Sequence, residues 1–102
     1  MQAVSDSLFK ALADPTRRTL FERLVREGEQ TVHALTAQAG VSQPMVSKHL
    51  AVLKTADLVA DRRQGRETHY SALPDSLMPL IEWAARAQAT ATSRHNCRTA
   101  LP

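Results

Sequence analysis

Between Gly40 and Arg66 the chain carries small polar and basic side chains at spacings suited to reading a DNA duplex. Ser42, Gln43, Pro44, Ser47, Lys48 and His49 come first, followed by Lys54, Arg62, Arg63, Gln64 and Arg66. On a helix lying in a major groove, short side chains reach base edges and Lys or Arg reaches phosphates. At 100° per residue, Val46, Leu50 and Leu53 share one stripe, while Pro44, Lys48 and Ala51 lie opposite it. Ser47 sits on one flank, with Gln43 nearer the apolar side. Gln43, Ser47 and Lys48 are therefore assigned to DNA contact, the bland alternative being an exposed helix face. His49 falls off the exposed face, so a phosphate contact and a bond to neighbouring polar groups both stay open. Arg62, Arg63 and Arg66 are predicted to meet phosphate or minor groove.

The charge distribution agrees with this placement. The chain holds 13 Lys and Arg against 10 Asp and Glu, a net charge of +3. Residues 1–41 and 67–102 are each balanced. In residues 42–66, Lys48, Lys54, Arg62, Arg63 and Arg66 face only Asp57 and Asp61. All the net positive charge lies beside the candidate reading helix, the electrostatic footprint of a nucleic-acid binder. Scattered surface cations would explain a mild excess but not its coincidence with that helix.

Other classes fit poorly. Aromatic residues make up 4% of the chain, too few for a single-strand binder built on stacked bases. No apolar run is long enough to cross a bilayer, and Met1-Gln2-Ala3-Val4-Ser5-Asp6 lacks the basic start of a signal peptide. One cysteine, Cys97, makes no internal disulfide and has no resolving partner for a redox switch. The expected location is the cytoplasm. His33, His49, His69 and His95 show no paired ligand spacing, so neither a metal nor another cofactor is expected. Nothing resembles a phosphate loop, a nucleophile elbow or paired carboxylates beside a base, which argues against an enzyme.

The elements that position these residues are legible from caps and periods. Leu8, Phe9, Leu12 and Ala13 mark a first helix. Asp14 caps a second, with Pro15 at its first position, and Leu20, Phe21, Leu24 and Val25 carry it to Gly28. Thr31 caps a third helix, with Leu35 inward, that Gly40 closes. Ser42 caps the reading helix, and Val41 with Val46 forms a hydrophobic staple. Together the third and fourth helices make a helix-turn-helix. Leu58–Arg63 and Glu67–Ala72 read as strands around a tight Gln64-Gly65 turn, a basic wing. A last helix from about Asp75 aligns Leu77, Leu80, Ile81, Ala84, Gln88 and Ala91. The fold class is mainly α with a small β-hairpin. Residues 1–92 form one domain, and 93–102 a frayed tail.

In this order of elements, three motifs carry a family resemblance. They are Leu12-Ala13-Asp14-Pro15-Thr16-Arg17-Arg18, Ser42-Gln43-Pro44 with Val46-Ser47-Lys48-His49-Leu50, and Gly65-Arg66 with His69-Tyr70. Over about residues 5–92 the chain resembles the ArsR-type winged-helix repressors of bacteria. The resemblance implies a homodimer on double-stranded DNA, at an inverted repeat in its own or a nearby promoter, paired through the first and last helices. Here the apolar stripes of those helices hold Leu8 and Leu12, and Leu77, Leu80, Ile81 and Ala84, with Trp83 alongside. Metal-sensing relatives place two cysteines at the start of the third helix, where this chain has Thr31 and His33. It is thus similar to the subgroup lacking that pair, and the resemblance names no inducer. A winged-helix module that binds protein, or a metal- or redox-responsive sensor, is the alternative. The basic wing and polar outward helix face favour DNA.

Overall fold

A computed structural model describes residues 4–99 of the chain, with side chains as far as residue 91. The elements run α1 (Asp6–Ala13), α2 (Pro15–Glu27), β1 (Gln30–Thr31), α3 (Val32–Ala39), α4 (Gln43–Thr55), β2 (Val59–Gln64), β3 (Glu67–Ala72), a 3-10 turn (Pro74–Leu77) and α5 (Met78–Thr99). Side-chain caps start the first four helices. Ser5 Oγ accepts from the Leu8 N–H at 3.2 Å, and Asp14 Oδ1 from the N–H groups of Thr16 and Arg17 at 2.8 and 3.1 Å. Thr31 Oγ1 accepts from Ala34 at 3.0 Å and Ser42 Oγ from Met45 at 3.4 Å. Each cap satisfies an N–H that has no partner inside its helix.

The core collects one face from each of the first four helices. Leu20, Phe21 and Leu24 of α2, Leu35 of α3, and Val46, Leu50 and Leu53 of α4 are buried together with Leu58 and Val59. Leu50 has no exposed surface. Leu50→Ala is expected to cost about 2–5 kcal/mol, because both the transferred methyl groups and the cavity left behind count against the fold. A shifted denaturant midpoint at unchanged slope would verify this. The turn between α3 and α4 is made by Gly40 at φ +73°, a left-handed conformation that side chains with a Cβ adopt at a cost.

The sheet departs from the simple hairpin read in the sequence. It has three antiparallel strands in the order β1-β3-β2, with Gln30 opposite Tyr70 and Thr31 opposite His69. Two residues carry no periodicity, so β1 becomes a strand only through its partner. β2 also runs one residue further than expected. Gln64 pairs with Glu67, and the two-residue turn is Gly65-Arg66 rather than Gln64-Gly65. The positive φ at this turn falls on Gly65, as a type II′ turn requires.

The last helix differs at both ends. Pro74–Leu77 is a 3-10 turn closed by the Ser76 N–H on the Leu73 carbonyl at 3.0 Å, and the α-helix begins at Met78. Its backbone continues past Ser93, where the sequence reading opens a frayed tail, to Thr99. No Gly or Pro stands between Pro79 and Pro102 to break it. The side chains of His95 and Cys97 lie outside the described residues. Among the described residues no helix is long and apolar enough to cross a membrane.

Candidate nucleic-acid interface

Burial of Val46, Leu50 and Leu53 turns the opposite side of α4 outward, leaving Ser42, Gln43, Pro44, Ser47 and Lys48 exposed. Gln43 and Ser47 form one wall of an open cleft of about 510 Å³. Arg66, Glu67 and Thr68 of the wing form the other wall, and Thr31, Val32 and His33 at the start of α3 close its end. The sequence gives Thr31 as a helix cap and His33 as an isolated histidine, with neither placed beside the wing. The Thr31–His69 pairing brings this end of α3 to the wing, and nothing local in the sequence signals it.

The basic residues separate into two groups. Lys48, Arg63 and Arg66 are exposed, and their side chains have no hydrogen bond or ion pair among the described residues. Lys54 and Arg62 are already engaged. Lys54 Nζ lies 3.0 Å from an Asp61 oxygen. Arg62 forks onto Glu29, with Nε to Oε1 at 2.6 Å and Nη2 to Oε2 at 3.0 Å, while Nη1 donates to Gln64 Oε1 at 2.8 Å. The Arg62 guanidinium holds the Glu29 carboxyl below its usual range, and Glu29 raises Arg62 in return. Arg62 also lies inside the strand, opposite His69, rather than at the wing tip. Both Arg62 and Gln64 thus differ from the sequence expectation of free wing-tip contacts. Glu29 is 33 positions from Arg62, beyond any local pattern.

His49 turns inward. It is 8% exposed, and its Nδ1 stands 3.3 Å from Arg17 Nη1. The ring faces α2, which leaves the second of the two sequence alternatives, a bond to a polar neighbour. On the dimer side, Leu8 is 4% exposed and belongs to the core, so its surface is spent within the chain. Leu12, Leu77 and Leu80 are half-buried against that core. Ile81, Trp83 and Ala84 are exposed. Phe9, which the sequence reading left out of the interface, is 41% exposed beside Trp83.

A helix-turn-helix domain family matches residues 12–62, spanning α2 to β2. Over 78 residues the chain is 35% identical to the transcriptional repressor SdpR of Bacillus subtilis, covering 76% of this chain and 86% of the relative. It is 37% identical over 94 residues to a probable mercury resistance operon repressor of Streptomyces lividans, covering 92% and 74%. The crystal structure of an ArsR family transcriptional regulator matches the fold with a TM-score of 0.79 at 31% identity, covering 86% of this chain and 90% of that one. The chain belongs to the ArsR family of winged helix-turn-helix regulators. It is a DNA-binding regulator of transcription, and the two relatives above are named as repressors. An ArsR-like regulator from Rhodococcus sp. RHA1 shares the fold at TM-score 0.76 and 30% identity, covering 93% of this chain and 89% of that one. Among the described residues of this ArsR-family chain no three His, Cys, Asp or Glu side chains gather in metal-binding range.

Proposed function

We propose that this chain is a homodimeric repressor that binds an inverted-repeat operator in the bacterial cytoplasm, each protomer inserting α4 into one major groove. The observation that carries the reading is the shared cleft. Gln43 and Ser47 line it with Arg66, so base-reading amide and hydroxyl groups stand beside a cation suited to phosphate. Lys48 extends the same exposed surface. The dimer half of the proposal rests on exposed apolar residues. Phe9, Met78, Ile81 and Trp83 are each 41–53% exposed. Phe9 and Trp83 meet edge to face, ring centroids 5.6 Å apart, joining α1 and α5 into one apolar surface.

The test is selection of duplexes from a random pool, followed by footprinting on the chain's own promoter. A palindromic site with half-sites about one helical turn apart is expected. Gln43→Ala is expected to relax preference at one base position in each half-site. The loss is about 1–3 kcal/mol of discrimination, with binding to unrelated duplexes nearly unchanged. Ser47→Ala should relax a neighbouring position in the same manner. If both variants keep the wild-type preference, α4 is not the reading element.

A further inference from the structure

Arg17, in the first turn of α2, makes bonds that DNA reading does not use. Its Nε donates to the Ala11 carbonyl at 2.9 Å, and Nη2 donates to the Lys10 carbonyl at 2.9 Å. Nη1 reaches across to His49 Nδ1 at 3.3 Å. One guanidinium therefore holds the last turn of α1, the start of α2 and the middle of α4. An arginine side chain has no acceptor and keeps its proton, so it can only donate. In this bond His49 must accept at Nδ1, which requires a neutral ring with its proton on Nε2. The ring is buried at 8% exposure, so water does not readily replace that donor.

We propose that Arg17 and His49 form a proton-sensitive latch that positions α4 against α1 for operator reading. The proposal rests on the reading of α4 as the DNA-contacting helix. With His49 neutral, the latch ties the recognition helix to the helix that carries Phe9 and the proposed dimer surface. A proton on Nδ1 replaces the acceptor by a donor aimed at another donor and sets two cations 3.3 Å apart in a buried place. Charged groups near the ring include Arg17 from α2 and Asp14 from the α1–α2 elbow. Asp14 Oδ2 is 4.0 Å from Arg17 Nη1. Its Oδ1 already accepts from the N–H groups of Thr16 and Arg17. The Arg17 N–H above all holds the Asp14 carboxyl below its usual range, so it stays anionic in mild acid and keeps its cap. The strained bond is therefore the one to α4, and α4 is the element released. Arg17 and His49 are positioning residues here, since neither needs to touch DNA.

A change of pH also alters the general attraction between the chain and any duplex. The measured quantity is therefore the ratio of affinities for a selected and a scrambled duplex, from fluorescence anisotropy with the full chain. Between about pH 7.5 and pH 5.5 the wild-type ratio is expected to fall roughly tenfold. His49→Asn places a non-titrating amide oxygen near the position of Nδ1 and should hold the ratio flat over the same range. Arg17→Lys cannot reach three acceptors with one ammonium group. It should lower the ratio at every pH while sedimentation still shows the wild-type oligomer. Melts followed by circular dichroism confirm that each variant is folded. If His49→Asn fails to fold, an Arg17→Lys ratio equal to wild type overturns the latch. Overlapping wild-type and His49→Asn profiles overturn it alone. A wild type that selects no duplex at pH 7.5 overturns the DNA reading and the latch together.

Discussion

Ile81→Asp is expected to abolish dimerisation and operator binding in one step. Ile81 is 53% exposed on α5, flanked by Met78 and Trp83 at 49% and 47%. In the proposed homodimer a second copy of the chain covers this residue, which is apolar, open and beside an aromatic pair that bridges α1 and α5. The substitution places a carboxylate against apolar surface in both protomers. The cost is at least about 3 kcal/mol, more than a hundredfold in the dimer dissociation constant. A monomer presents one α4, whereas an inverted repeat needs two recognition helices roughly 34–36 Å apart. Binding should therefore fall with the dimer. Because the substituted side chain is open to solvent in the single chain, folding of the monomer should be nearly unaffected. Trp83 is the only tryptophan, so its emission should shift red as the surface opens. Sedimentation supplies the decisive measurement. A wild-type monomer that binds a palindromic operator tightly would refute this arrangement.

Lys48→Ala and Arg62→Ala are expected to act very differently on salt dependence, although both remove one positive charge. Each phosphate neutralised by the protein adds about −0.9 to the slope of log affinity against log salt. Lys48 has no hydrogen bond or ion pair among the described residues, so its charge is available to phosphate. Removing it from both protomers should flatten the slope by about 1.8 and weaken binding to every duplex. Arg66→Ala should do the same from the wing side of the cleft. Arg62 begins in a forked bond with Glu29, so its removal deletes a pair rather than a free cation. Arg62→Ala should leave the slope close to wild type, and Glu29→Gln should steepen it by releasing Arg62. Slopes measured between about 50 and 200 mM salt separate these outcomes. An Arg62→Ala slope as flat as that of Lys48→Ala would show that the Glu29 pair opens on DNA.

Much of the fold and part of the site are readable from the residues alone, for a physical reason. Caps at Asp14, Thr31 and Ser42 act over two or three residues, so the side chain and the N–H it satisfies appear in one short window. The stripe Val46, Leu50 and Leu53 follows from helix geometry, and its burial turns Gln43, Ser47 and Lys48 outward. Segregation of net charge into residues 42–66 needs no structure at all. Other features depend on contacts between distant segments, which no local window contains. The β1 strand exists because Gln30 and Thr31 meet Tyr70 and His69. Arg62 is neutralised because Glu29 arrives beside β2, and His49 turns inward because Arg17 waits on α2. Leu8 and Phe9 are adjacent apolar residues that the sequence does not rank. The rotation of α1 against the core buries Leu8 and leaves Phe9 open beside Trp83. The sequence by itself singled out α4 as the helix proposed to read DNA, because helix periodicity and charge are local properties. Tertiary structure alone decided which cations are free and which apolar residues are left for a partner, because both depend on what the folded chain has already paired or buried.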